Sequence, residues 1–491
     1  MKKITGRSAF LSILKSEGVT HLFGNPGTTE LPIMHALKEY PEIKYILGLQ
    51  EAIVVAMADG YSRATGKLSA CNVHVAPGLG NAMGAIYNAK FVGSPIIITA
   101  GQQEQGHGLM EPMLYGPLVR MAEPLVKWAT EVTRLEDLPR IMRRAAKIAL
   151  SPPTGPVFIS LPGDILNTEA KIDLGSPTRI IDSYRPSHNS IELIAKKITK
   201  FNKPIIVVGH EVASYDAFKE VAKFAELSGS AVYQQTVPHG SHFPSEHIAF
   251  MGALPRLQNP TKKILENYDL LICIGCDGLR MSVWNDTEPL PSKMPIIHIG
   301  INEWEIGKNY FTELAIIGNV KNTLHDINQY LKKTLTSKES AKAKNNLAHI
   351  AKNNWTVKKK NLVSKTLDDK LKKPITPNWL MMNIANNITK NNIVVEEGLV
   401  STRALLNYLP YKNNKDFYGL ASGGIGWAVS GAIGIALANP SKTIIAIIGD
   451  GSSMYGIQSL WSAAHYKLPI VYIIANNQSY RIIKERLEAF H

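Results

Sequence analysis

Short apolar runs, each closing in glycine or a polar residue, recur along this 491-residue chain and limit its fold more than any other feature. Two of them lie close together near the C-terminal end. TIIAIIGDGSS, from Thr443, closes in Gly449, Asp450, Gly451 and Ser452; LPIVYIIANN, from Leu468, closes in Asn476 and Asn477. Each reads as a buried parallel strand. Residues 455–466 between them fit a helix, so the stretch predicts one strand–helix–strand unit. Both strands then deliver their polar ends to the same carboxyl edge, where open α/β sheets bind ligands.

The residue types at that edge point to a chemistry. Asp450 and Asn477 are placed side by side as hard oxygen ligands. They suit a magnesium ion that keeps the rest of its shell for a phosphate-bearing cofactor. Gly451 and Ser452 bring backbone N–H groups and a hydroxyl to a helix start, which favours an anion. Either half alone is weak, because Asp-Gly is a common turn and Asn-Asn occurs six times in the chain. The two halves at this separation, each closing an apolar strand, carry the signal.

A chain of this length exceeds one ordinary core and predicts two to four domains. Apolar content of 45% and charge of 19% are those of a globular chain. No run of about eighteen apolar residues occurs, so no membrane span is expected. Residues 6–17 read as an amphipathic helix rather than the apolar centre of a signal peptide, which predicts a cytoplasmic protein. Cys273 and Cys276 form a CxxC with no second pair or clustered histidines nearby, and read as buried structural thiols. The formal charge of +14 is concentrated: residues 332–373 hold thirteen lysines against three acids. That segment reads as a solvated basic linker with some helix, without a nucleic-acid recognition motif.

Residues 1–170 alternate strands and helices in a doubly wound α/β pattern, with strands in HLFGNPG, KYILGLQ, LSACNVHVAPG, SPIIITAGQ and GPVFISLPGD. Residues 171–188 read as a linker. A second α/β domain spans 185–331 and lacks a GxGxxG loop, so an NAD site is poorly supported there. The basic linker, 332–373, leads to a third α/β domain, 374–491, that looks short at its C-terminal end.

With these residues in place the chain resembles the thiamine-diphosphate-dependent 2-keto acid decarboxylase and acetolactate synthase superfamily, and within it the benzoylformate decarboxylases. The likeness is densest in FGNPGTTELP, LGLQEAIVVAMADGYSRATG, NVHVAPGLGNAMGA, GPVFISLPGD, ASGGIGWAVSGAIG, IIGDGSS and IIANNQSY. It implies that Glu51 activates the cofactor through the pyrimidine N1′. Ile425 and the Gly423 carbonyl would bend the cofactor. Asp450, Asn477 and the Ser479 carbonyl would hold magnesium. Gly449, Gly451, Ser452, Tyr455 and Tyr480, with Leu399 and Val400, would surround the diphosphate. His74 matches an active-site acid/base. Thr28 falls where relatives place a serine for the substrate carboxylate, and Ser282 where they place a second histidine. Gln102 and Gln103 are expected at the mouth of the site, and Arg280 and Trp284 near Ser282. His107, His239 and His242 are candidates to replace the missing imidazole.

The implied activity is non-oxidative decarboxylation of a benzoylformate-like 2-keto acid to an aldehyde, through the ylide of thiamine diphosphate. An acetolactate-synthase-type carboligase is the alternative, followed by a cofactor-binding homologue with weak catalysis. The resemblance further implies a homodimer or homotetramer with Glu51 of one subunit facing the diphosphate site of another. It also implies several dozen more residues, closing the site, than the fourteen that follow Asn477 here.

Overall fold

The computed structural model describes residues 3–181, 184–282 and 284–490. Met1 and Lys2, and residues 182 and 183 of the 171–188 segment, lie outside it. Three parallel-sheet α/β domains follow one another. The first sheet contains β1 (His21–Gly24), β2 (Lys44–Leu47), β3 (Ser69–Val73), β4 (Ile96–Gln102), β5 (Ala129–Glu131) and β6 (Val157–Pro162) in the order β2-β1-β3-β4-β6-β5. All of its pairings are parallel. The strands β3, β4 and β6 are buried along their whole length, as two-sided coverage requires of apolar runs without alternation.

The second sheet contains β7 (Pro204–Val208), β8 (Ala231–Gln234), β9 (Phe250–Ala253), β10 (Leu270–Ile274), β11 (Ile296–Gly300) and β12 (Leu314–Ile317), ordered β9-β8-β7-β10-β11-β12. The third contains β13 (Asn392–Glu397), β14 (Phe417–Gly419), β15 (Thr443–Gly449) and β16 (Ile470–Ala475), ordered β14-β13-β15-β16. The order reverses between β1 and β3 in the first sheet, between β7 and β10 in the second, and between β13 and β15 in the third, with β5 turning back onto the far edge of the first sheet. These switch points are where the loops after adjacent strands part and leave a crevice.

By contacts the chain falls into two compact units. One comprises residues 1–181, 395–399 and 420–491; the other comprises 182–394 and 400–419. In the first unit, α1 (Gly6–Ser16) and α4 (Leu138–Leu150) cover one core, and α2 (Glu51–Thr65) and α3 (Val75–Val92) belong to the other. The closest helix crossing is between α2 and α9 (Trp427–Ala438), and glycine makes it possible. A Cβ on Gly434 would lie 1.9 Å from the Met57 carbonyl oxygen, and one on Gly60 2.2 Å from that of Gly431. Helix α9 is apolar all round and buried over nearly its whole length, as an interior helix must be.

In the second unit α5 (Phe218–Ser228) and α6 (Val320–Thr334) pack on the sheet around Phe224, Phe243, Phe250 and Tyr411. Two readings from the sequence are adjusted here. The basic segment 332–373, read as a solvated linker with some helix, is more helical than expected, in α7 (Ser337–Ala351) and α8 (Trp355–Thr366), with most of its lysines exposed. Trp355 anchors it: the indole is buried and its Nε1 donates to the Leu406 carbonyl at 2.9 Å. Burial of one large ring outweighs a weakly patterned, lysine-rich neighbourhood. The expected helix at 455–466 is two shorter ones, α10 (Asp450–Met454) and α11 (Ser459–His465), parted around Gly456. Strands β5, β9 and β12 were not legible, being short and lying at or near sheet edges.

Candidate functional site

Two switch points in the first unit gather most of the expected site residues. After β1 the chain turns through Asn25 to Gly27 into a short 3-10 turn, Thr28–Glu30. After β3 it passes directly through His74 into α3. Because β1 and β3 are hydrogen-bonded neighbours, the two loops meet. The His74 Nδ1 lies 2.7 Å from Glu30 Oε2, and no part of Glu30 reaches solvent. The same carboxylate accepts from the Gly27 and Gly101 N–H groups, both at 2.8 Å, and from the Thr29 hydroxyl at 2.8 Å. A carboxylate only accepts, so Nδ1 carries the hydrogen of this bond and Nε2 is the ring atom left for proton exchange.

Two backbone features hold that ring in place. A Cβ on Gly27 would lie 2.2 Å from the imidazole, so only glycine fits beneath it. Val75, next in the chain, has φ +46°, a conformation that costs a β-branched residue on the order of 1–3 kcal/mol. Strain of this kind persists where the surroundings over-determine the backbone. Thr28 is exposed at the rim of this crevice. Gln102 and Gln103 tie down the 113–116 loop by donating to the Gly116 and Met113 carbonyls at 3.0 and 2.8 Å.

Glu51 opens α2. Gln50 caps the helix, its amide oxygen accepting from the Ala52 and Ile53 N–H groups. The buried Glu51 carboxylate accepts from Asn25 Nδ2 at 3.1 Å and Asn81 Nδ2 at 3.0 Å. Gly78 leaves room for it, since a Cβ there would lie 3.0 Å from Glu51 Oε1. Asn25 therefore links Glu51 to the loop that holds His74. Neither Glu30, Asn25 nor Asn81 was singled out from the sequence. Their partners are fixed by strand order, not by spacing.

At the third switch point β13 ends in Glu397 and β15 in Gly449, with Asp450 opening α10. Register places Gly449 opposite Ala475, so the residues after β16 follow alongside Asp450. The Asp450 Oδ2 accepts from the Gln478 N–H at 3.1 Å, and Asn477 Oδ1 from the Ser479 N–H at 3.0 Å. The Ser479 hydroxyl oxygen is buried without a hydrogen-bond partner. Ser452 is buried, while Tyr455 and Tyr480 are largely exposed. Gly451 lies under Tyr480; a Cβ there would be 3.3 Å from its ring. Leu399 takes φ +48°, a second strained non-glycine residue at a switch-point loop.

The turn that carries Gly423 and Ile425 has φ +85° at Gly423 and +97° at Gly426, both left-handed. Glu397, missed in the sequence, holds its far end: the buried carboxylate accepts from the N–H groups of Gly426 and, at 2.6 Å, of Ala428. Burial pushes the Glu397 carboxyl up to about 8.

Ser282 belongs to the second unit. It is exposed, and its N–H donates to the Arg256 carbonyl at 3.1 Å. Val400 also belongs to that unit. Arg280 pairs with Glu305 at 3.1 Å, and Trp284 is exposed. His239 and His242 are buried with their rings 5.4 Å apart, and His107 is exposed in the first unit. Cys273 and Cys276 are buried and free; the hydrogen bond with the Cys273 thiol, and then burial, raise the Cys276 pKa.

Comparison with known proteins decides the family. Three domain profiles match in order: thiamine pyrophosphate enzyme, N-terminal TPP binding domain, at residues 4–113; central domain, at 191–327; and C-terminal TPP binding domain, at 400–491. The chain belongs to the thiamine pyrophosphate enzymes. Benzoylformate decarboxylase of Pseudomonas aeruginosa is 29% identical over 484 residues, covering 98% of this chain and 87% of that protein. A probable acetolactate synthase large subunit of Methanocaldococcus jannaschii is 30% identical over 499 residues, covering 96% and 80%. The solved 4-hydroxybenzoylformate decarboxylase of Rhodococcus jostii, a thiamine diphosphate-dependent enzyme, superposes with a TM-score of 0.87 at 29% identity, covering 99% of this chain and 89% of that one. The resemblance read from the sequence is thus correct at family level, and thiamine diphosphate is the cofactor of this family of folds. No described helix is long and apolar enough to cross a membrane.

Proposed function

We propose that this thiamine-diphosphate-dependent enzyme decarboxylates a benzoylformate-like 2-keto acid to an aldehyde and carbon dioxide. The observation that carries the reading is the His74–Glu30 pair at the first switch point. A decarboxylase must return a proton to carbon after carbon dioxide leaves, and an imidazole fixed by a buried carboxylate is suited to that near neutral pH.

Magnesium fits the third switch point by the chemistry of its donors: the Asp450 carboxylate, the Asn477 amide oxygen and the Ser479 carbonyl are all hard oxygens. The buried, unpartnered Ser479 hydroxyl supports a polar ligand there. Gly449, Gly451, Ser452, Tyr455 and Tyr480, with Leu399, complete the diphosphate cradle in this reading. Thiamine diphosphate, when bound, supplies the carbon nucleophile and the electron sink for decarboxylation. Glu51 holds a proton at the pyrimidine N1′, with Asn25 and Asn81 orienting its carboxylate. Gly423 and Ile425 set the bend between the rings. Thr28 offers its hydroxyl to the substrate carboxylate, and His74 Nε2 exchanges the proton. The working form is a homodimer or homotetramer in the cytoplasm.

The carboligase reading is favoured by one feature. Ser282 stands where the resemblance places a second histidine, and a hydroxyl is a poor proton donor at neutral pH. Slower protonation leaves time for attack on a second carbonyl. Protein reconstituted with thiamine diphosphate and magnesium should release aldehyde from benzoylformate, and Glu51→Gln should lower the rate about a hundredfold or more while leaving cofactor binding measurable. Acetolactate from pyruvate, with no aldehyde from any aromatic keto acid, would overturn the decarboxylase reading.

A further inference from the structure

One buried acid, Asp59, has no part in the chemistry above. It lies on α2, eight residues beyond Glu51, and is shut off from solvent. Its carboxylate accepts from Trp427 Nε1 at 2.6 Å, from Asn88 Nδ2 at 3.1 Å and from the Ser94 hydroxyl. Asn88, on α3, uses its other end. Its Oδ1 accepts from the Ser422 hydroxyl at 2.9 Å and from the Ser422 N–H at 3.4 Å. Ser422 and Trp427 bracket the turn that carries Gly423 and Ile425. Arg63, whose guanidinium lies 4.3 Å from the centre of the Trp427 ring, is the cation that acts on Asp59. Burial raises the Asp59 pKa.

Packing alone does not call for this arrangement. Burying a carboxylate is costly, and an apolar residue of similar volume usually fills such a place at least as well. The α2–α9 crossing is already made by Gly60, Gly431 and Gly434. What Asp59 adds is direction. It fixes the Trp427 indole at one end of the turn, and through Asn88 it fixes Ser422 at the other. Glu397 holds Gly426 and Ala428, the residues on either side of Trp427. The two glycines with left-handed backbone would otherwise leave the turn several conformations.

We infer that Asp59 is a positioning residue for the Gly423–Ile425 turn, acting through Trp427 on one side and through Asn88 and Ser422 on the other. Helix α2 then carries Glu51 at its start and, from its second half, holds the turn assigned to the cofactor bend. This rests on the reading of Gly423 and Ile425 as cofactor contacts.

The test uses the full chain with thiamine diphosphate and magnesium, in the variants Asp59→Asn, Trp427→Phe and Ser422→Ala. Calorimetry gives the cofactor Kd. Near-UV circular dichroism at saturating cofactor reports the balance of the amino and imino forms of the bound pyrimidine, which a purely structural role would not move. Asp59→Asn and Trp427→Phe are expected to weaken binding about tenfold and to change that balance. Ser422→Ala is expected to change the balance in the same sense. If Asp59→Asn does not fold, the other two variants carry the same expectation. Unchanged Kd and unchanged spectra in Trp427→Phe and Ser422→Ala, with normal binding by the wild type, overturn this inference alone. A wild-type protein that binds no thiamine diphosphate overturns both it and the functional reading.

Discussion

His74 and Glu30 stand 44 positions apart, yet a single hydrogen bond between them decides which ring nitrogen can exchange a proton. Glu30→Gln would set an amide NH2 against donors that now point at a carboxylate. The expected result is a fall in kcat of about ten- to a hundredfold, measured by aldehyde release, with KM changing little. Glu397 makes a different prediction. Its folded pKa, about 8, lies above the ordinary 4.5, so between those values the native state holds a proton that the unfolded chain lacks. Stability therefore falls as pH rises through that window and levels off above it. Glu397→Gln should remove a slope of at most roughly 1.4 kcal/mol per pH unit, read from denaturation midpoints of both proteins across the window.

Helices α2 and α9 pack through backbone contact at glycine and run antiparallel, Met57 against Gly434 and Gly60 against Gly431, so their starts lie at opposite ends of the contact. Glu51 is the first residue of α2, and the turn bearing Ile425 runs into the start of α9. Gly434→Ala would drive a methyl into the Met57 carbonyl and is expected to cost about 1–3 kcal/mol or more, by chemical denaturation. Gly84→Ala on α3 is the control. A Cβ there meets nothing within 4 Å, and the change should be neutral or stabilise by up to about 1 kcal/mol. The basic helices α7 and α8 show the opposite balance. Their lysines carry little pattern, and the buried Trp355 attaches the segment to the second core.

Across the whole molecule the +14 charge resides mainly in those two helices and their flanks. Exchange of the exposed Lys338, Lys344 and Lys352 for glutamate should lower retention on a heparin column at low salt, with little change in thermal midpoint. How far the sequence reaches can be judged from particular residues. The apolar runs before Asp450, Asn477, His74 and Glu51 sufficed to read parallel strands and helix starts, because burial on both faces and turn chemistry are local properties. The family followed from the motifs at those strand ends. Tertiary structure alone decided that Glu30 faces His74, that Asn81 faces Glu51, and that Asp59 reaches Trp427 across 368 positions. Chain periodicity records which face of an element is buried; it does not record which buried polar group meets which, since that depends on strand order and on glycines that let helices touch.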